Sequence, residues 1–229
     1  MILGTNGEKM SKSKGNVINP DDIVKEFGAD TFRVYEMFMG PFDQTASWSM
    51  DSIRGCFKFL DRVWNLKDML VDGDTYSKET EKMMNKAIKK VSKDIEEMKF
   101  NTCISTFMTM LNEFTKLKHI NKAEYKTFLT LLNPFAPHMT EELNQLAGFE
   151  SEISTYEWPT YDEAKTIDDE IEIPVQVNGK LKATVMIVLD EEEASVKEKV
   201  HEAISDKLDG KSIVKEIYVK NKICNVVVK

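Results

Sequence analysis

The hydrophobic positions of this chain change period once, and that change divides it. From residue 20 to about residue 148, apolar side chains recur at three- and four-residue steps, the spacing of one helix face. Asn19-Pro20-Asp21-Asp22 supplies a capping side chain, a proline at the first helical position and two acids in the first turn, and Gly28 closes that short helix. Asp30 is placed to cap the next one. After the Gly40-Pro41 break, Ser49 predicts the start of a long helix with Ile53, Phe57, Leu60 and Trp64 on its apolar face. Met84, Ile88, Val91, Ile95 and Met98 form a second stripe, and Ile104, Phe107, Met108, Leu111 and Phe114 a third. Asn121-x-x-Glu124 reads as a variant capping box ahead of Tyr125, Phe128, Leu129 and Leu132. Asn133-Pro134 ends that helix, and Pro137 opens a last one that stops at Gly148. The spacing predicts an antiparallel helical bundle over residues 76–149, preceded by a loop and connecting helical region over residues 1–75.

Beyond residue 170 the period is two. Ile171, Ile173, Val175 and Val177 alternate with polar residues and proline, Asn178-Gly179 suits the positive φ angles of a type I′ turn, and Leu181, Ala183, Val185, Ile187 and Leu189 resume the alternation. Residues 191–208 return to helical spacing, and residues 213–219 and 223–228 read as two more strands. The expected fold class is mainly α, with the antiparallel helical bundle followed by a small α+β domain, ββαββ, over residues 171–229. A domain of that size buries only about 60% of its unfolded surface, so marginal stability is expected of it.

Composition narrows the classes. At 229 residues, with 41% hydrophobic and 31% charged side chains, the chain is neither disordered nor fibrous. No apolar run approaches the roughly 18 residues of a membrane span, and no basic and apolar leader follows Met1, so a cytoplasmic protein without membrane partners is expected. Cys56, Cys103 and Cys224 are an odd, widely spaced set, which fits reduced thiols and argues against a metal site. The net charge of −8 alone disfavours nucleic acid. Charge by segment changes that view: residues 76–149 hold 11 basic and 9 acidic side chains, whereas residues 150–170 hold 1 and 8. That acidic stretch, with Trp158-Pro159 and Asp168-Asp169-Glu170, has no period and reads as a linker.

One segment carries candidate chemistry. Lys9-Met10-Ser11-Lys12-Ser13-Lys14-Gly15-Asn16 packs three ammonium groups, two hydroxyls and a glycine into eight residues ahead of a helix. Lysine is a compact charge for phosphoryl oxygens, hydroxyls and backbone N–H groups donate, and Gly15 permits close approach. By composition alone a solvated, Ser-rich loop is the stronger reading, since basic loops are common and usually only solvated.

Residue order separates these readings. Lys9-Met10-Ser11-Lys12-Ser13 resembles the second signature loop of class I aminoacyl-tRNA synthetases. Gly15-Asn16, Pro20-Asp21-Asp22, Phe27-Gly28-Ala29-Asp30 and Arg33 extend the likeness. Tyr35-Glu36-Met37-Phe38-Met39-Gly40-Pro41, Phe59-Leu60-Asp61-Arg62-Val63-Trp64, Asn133-Pro134-Phe135-Ala136-Pro137-His138 and Val175-Gln176-Val177-Asn178-Gly179-Lys180 resemble the bacterial leucyl-tRNA synthetases, from that loop to their C-terminus. The resemblance implies an ATP- and Mg-dependent leucine–tRNA ligase. Lys9 and Lys12 would stabilise departing pyrophosphate while leucyl-adenylate forms, Ser11 and Ser13 would assist, and Met10, Gly15 and Asn16 would complete the ATP-binding loop. It also implies an anticodon-binding-like bundle, leucine-specific tRNA as partner, and a complete enzyme that is monomeric. The family's His-Ile-Gly-His signature is absent, since His119, His138 and His201 are isolated. Its nucleotide-binding, leucine-binding and editing regions precede this loop, so a chain like this one is expected to be inactive alone. Asn144 stands where the family usually has tryptophan.

Lysines supply the remaining candidates. Lys86, Lys89, Lys90 and Lys93 share one helix face, which is either a solvated surface or a track for tRNA phosphates. Lys180, Lys182, Lys211, Lys215, Lys220 and Lys222 fall in turns and strand ends of the small domain, and the family's C-terminal domain holds the tRNA elbow. Two other classes remain open at this point: a stand-alone tRNA-binding or scaffolding module, and a helical protein-interaction domain. A pure binding module has no need of a pyrophosphate-binding loop, and an interaction domain leaves that loop unexplained.

Overall fold

The computed structural model describes residues 1–5, 7–41, 43–167, 170–208 and 212–229, so Asp168, Asp169 and Lys211 lie outside the described residues. The chain forms two compact units, Met1–Thr166 and Ile167–Lys229.

Unit 1 is helical. Its helices are α1 (Pro20–Phe27), α2 (Ala29–Phe38), α3 (Met50–Trp64), α4 (Glu81–Glu96), α5 (Phe100–Leu117), α6 (Lys122–Leu132) and α7 (Pro137–Leu146). Two short parallel pairings fasten distant segments: β1 (Ile2–Leu3) with β2 (Ala46–Ser47), and β3 (Leu70–Val71) with β4 (Ile120–Asn121). Local chemistry explains several starts. The Asn19 side chain accepts from Asp21 N–H ahead of Pro20, Ser49 Oγ accepts from Ser52 N–H, and Asn121 with Glu124 completes a reciprocal capping box. The core holds Phe107, Phe114, Phe128 and Phe135, whose rings meet edge to face at centroid distances of 5.3 to 6.2 Å. Each such buried ring contributes roughly 1.5–3 kcal/mol of transfer free energy.

Several expected positions differ. Phe57 is 47% exposed, Trp64 is only partly buried, and α3 turns Cys56, Phe59, Leu60 and Val63 inward beside Ile53. Met98 is exposed because φ of +55° there ends the turn after α4. Asp30 does not cap its own helix. Gly28 stands at that N-cap without a side-chain bond, and Asp30 reaches instead to α7. Asn144 is fully buried, with Nδ2 donating to Ser151 O at 2.8 Å and Oδ1 accepting from the Tyr156 hydroxyl at 2.9 Å.

The acidic stretch is not a free linker through its length. Residues 150–166 belong to the helical unit: residues 151–156 bond to Glu141 and Asn144 of α7, and residues 158–165 run back along one face of α4. Trp158 Nε1 donates to Ser92 Oγ at 2.8 Å, Glu163 pairs with Lys89, Asp162 N–H donates to Asn85 Oδ1 at 2.8 Å, and Lys165 pairs with Glu81 at 2.6 Å. Glu81, Asn85, Lys89 and Ser92 repeat at helical spacing, so polar contacts with a helix face give order to a segment that has no apolar period.

Unit 2 is a four-stranded sheet, β5 (Glu170–Val177), β6 (Lys180–Val188), β7 (Ile213–Val219) and β8 (Ile223–Val228), with α8 (Glu193–Ile204) between β6 and β7 in the chain. The strand order is β6-β5-β8-β7, with β5 parallel to β8 and both hairpins antiparallel. Asn178 and Gly179 take φ of +49° and +76°, as a tight two-residue turn requires. Val196, Val200 and Ile204 pack on Ile173, Val175, Ile187, Cys224 and Val226. A shift of register between Val175 and Gln176 breaks the alternation opposite Leu181, which is 62% exposed.

Candidate functional site

The signature loop is tied at its base by one asparagine. Asn16 Oδ1 accepts from Ser11 N–H at 2.9 Å, and its Nδ2 donates to Lys9 O at 3.3 Å. A bridge between Leu3 and Lys9 and the partly buried Met10 fix the entry, and a 3₁₀ turn over Lys12–Lys14 leads to Gly15 at φ +63°. Only a residue tolerant of the left-handed region fits there. Lys14 is held by Glu8 at 2.8 Å. Lys9 and Lys12 are exposed and make no ion pair among the described residues, and the Ser11 and Ser13 hydroxyls lie 3.2 Å apart. The loop therefore presents two ammonium groups without an ion pair among the described residues, and two neighbouring hydroxyls, from a shaped backbone, a donor set suited to phosphoryl oxygens.

The α4 lysines have partners. Lys89 pairs with Glu163, Lys90 with Asp94, and Lys93 with Glu97 at 3.9 Å, and Lys86 also interacts with a neighbour. They line an open groove of about 370 Å³ together with Asp94, Glu97, Lys99 and Thr166. The ladder is thus partly neutralised by the protein's own carboxylates, which any phosphate would have to displace.

The lysines of unit 2 are spread out. Lys180 and Lys182 open edge strand β6, and Lys215 lies on the other edge strand, β7. Lys220, paired with Asp190 at 2.9 Å, and Lys222 flank the β7–β8 turn at the opposite end of the sheet from Lys180. Lysine on an edge strand also blocks unwanted strand pairing, which gives Lys180, Lys182 and Lys215 a structural use.

Other titratable groups are structural. Burial pushes the Cys56 thiol up to about 11 and that of Cys103 to about 12, which makes both poor nucleophiles. Glu124 is fully buried. Burial pushes its carboxyl up, but hydrogen bonds from Thr80, Asn121 and Ser77 outweigh that and hold it below the usual range. His201 pairs with Glu216, and the His138 ring bonds Asp30. Among the described residues no three His, Cys, Asp or Glu side chains converge as metal ligands, and no helix is long and apolar enough to cross a membrane. Asp30 and Arg33 belong to the Phe27–Arg33 stretch of the likeness, yet their partners, more than 100 residues away, leave no local signal in it.

Residues 1–49 match the family described as tRNA synthetases class I (I, L, M and V). A leucine–tRNA ligase of Alkaliphilus oremlandii (strain OhILAs) is 53% identical over 231 residues, covering 100% of this chain and 29% of its own length. The chain thus spans less than a third of that relative. The crystal structure of the ternary complex of Agrobacterium radiobacter K84 agnB2 LeuRS-tRNA-LeuAMS is similar with a TM-score of 0.75 at 30% identity, over 100% of this chain and 32% of the other. Residues 77–200 match the family described as the anticodon-binding domain of tRNA ligase, more than half of the chain, and the chain belongs to that family.

Proposed function

We propose that this chain is the portion of a cytoplasmic leucine–tRNA ligase that supplies the signature loop and a scaffold for leucine-specific tRNA. In this reading Lys9 and Lys12 bear on the phosphates of ATP, with Lys12 the main contact as pyrophosphate departs. Charge that develops in that step meets ammonium groups already in position, so the transition state gains more than the ground state does. Ser11 and Ser13 donate to the same oxygens, and Met10, Gly15 and Asn16 keep the loop in shape. Mg²⁺ would neutralise phosphate charge there, and within this chain Lys9 and Lys12 do that work on their side of the site. The rest of the ATP site, the leucine pocket and the editing region would come from further polypeptide, so the 229 residues alone are inactive.

In the same reading, residues 76–149 are the anticodon-binding-like bundle and residues 171–229 a ββαββ domain for tRNA. Lys86, Lys89, Lys90 and Lys93, with Lys180, Lys182, Lys211, Lys215, Lys220 and Lys222, are the candidate phosphate contacts. One observation carries the proposal: two ammonium groups without an ion pair among the described residues stand on an asparagine-tied loop, in a chain 53% identical throughout to a leucine–tRNA ligase. Leucine-dependent ATP–pyrophosphate exchange tests it. The longer protein should exchange and the 229-residue chain should match a buffer blank; exchange by the chain alone, or none by the longer protein, contradicts the reading.

A further inference from the structure

Asp30 and Arg33 lie one turn apart on α2, and both reach the corner between α6 and α7. Asp30 Oδ1 accepts from the His138 ring Nδ1–H at 2.8 Å and from the His138 backbone N–H at 3.4 Å, while Oδ2 accepts from Met139 N–H at 2.6 Å. Those two amides lie in the first turn of α7, where no carbonyl of the same helix can reach them, and the N-cap residue Ala136 offers no side-chain acceptor. Arg33 donates to Pro134 O at 2.8 Å, two residues past the end of α6. A carboxylate meets the positive end of one helix and a guanidinium the negative end of another, the favourable sign at both.

The corner they grip is rigid. Asn133 Nδ2 donates to Thr140 Oγ1 at 2.9 Å, and the buried Phe135 ring packs edge to face against Phe100 and Phe107. At the other end α2 joins α1 through Gly28 alone, and α1 begins four residues beyond Asn16. Asp30 is 8% exposed, and its side-chain hydrogen bonds among the described residues all go to His138 and Met139, so they offset its cost of burial across this joint.

We propose that Asp30, supported by Arg33, is a positioning clamp that holds the α1–α2 elbow, and with it the Lys9–Asn16 loop, in register with the helical body. The geometry stands on its own; the consequence for catalysis rests on the phosphate-binding reading of the loop. The test is therefore in two parts. In the 229-residue chain, Asp30→Ala should speed hydrogen exchange of α1 and of the Ser11 and Gly15 amides by about tenfold, while amides of α4 and α5 stay within about twofold. Glu124→Gln, a buried change at the far end of α6, is the control and should not speed the loop. Equal acceleration throughout the unit, or no change at the loop, overturns the clamp.

In the longer protein, Asp30→Ala should lower kcat for adenylate formation by about tenfold with the leucine KM held within about twofold. Combined with Lys12→Ala, it should lose clearly less than the product of the two single losses, because the loop acts mainly through Lys12, its main contact. Fully multiplicative losses overturn the clamp's action through the loop. A Lys12→Ala variant as fast as the parent defeats the phosphate-binding reading, and the exchange result still decides the clamp.

Discussion

Single residues set the shape of the loop and the stability of the body beneath it. Gly15 sits at φ +63° with nothing within 4 Å of an added Cβ, so Gly15→Ala is sterically free and conformationally strained. We expect it to cost about 1–2 kcal/mol at that residue and to loosen the loop without unfolding unit 1. In the longer protein, a raised ATP KM at an unchanged melting temperature would show this; equal ATP affinity would mean that the left-handed turn is not needed. Glu124 is the opposite case. Its two oxygens take hydrogen bonds from the amides of Ser77 and Asn121 and from the Thr80 hydroxyl, so Glu124→Gln replaces an acceptor by a donor against buried donors. The expected loss is about 1–3 kcal/mol, read by urea denaturation. Because the folded pKa of Glu124 is depressed, its stabilisation is present above the unfolded pKa and lost as pH falls through the folded value.

At the scale of elements, Glu191 fastens β6 to α8. Hydrogen bonds from Lys199, Ser195 and Val188 N–H hold its carboxyl down to about 2, against 4.5 for a free glutamate. Unit 2 should therefore lose stability as pH falls from about 4.5 towards 2, and Glu191→Gln should flatten that dependence. Thermal melts of residues 167–229 across that range check it, and parallel pH profiles for the two forms would contradict it. Elements with a local signature could be read directly from the sequence: the Asn19, Ser49 and Asn121 caps each start a helix, and Asn178-Gly179 makes the hairpin turn. The two-residue strands could not, since two residues have no period and each pairs with a partner more than 40 positions away. Asp30 misled for the same reason, because its position suits a local cap while its partners belong to α7. The loop's residue order was legible; its staple by Asn16, and the pairing of the α4 lysines with Asp94, Glu97 and Glu163, required the fold.

At the scale of the molecule, the stretch along α4 decides where unit 1 ends. Trypsin should cut slowly after Lys165, which is paired with Glu81, and Trp158→Ala should speed that cut by releasing the Ser92 contact. Equal rates in the two forms would mean that the stretch does not protect the site. If the lysine ladder tracks tRNA phosphates as proposed, its acidic partners weaken that contact, which a salt titration of leucine-specific tRNA against the chain reads. With about three or four phosphates neutralised, log K should fall with log salt at a slope of roughly −2 to −4. Whether the Lys9–Asn16 loop supplies charge to the departing pyrophosphate is decided by pre-steady-state adenylate formation in the longer protein carrying Lys12→Ala. The barrier should rise by about 2–4 kcal/mol with leucine binding unchanged; an unchanged rate with a raised leucine KM would mean that the loop does not carry that charge.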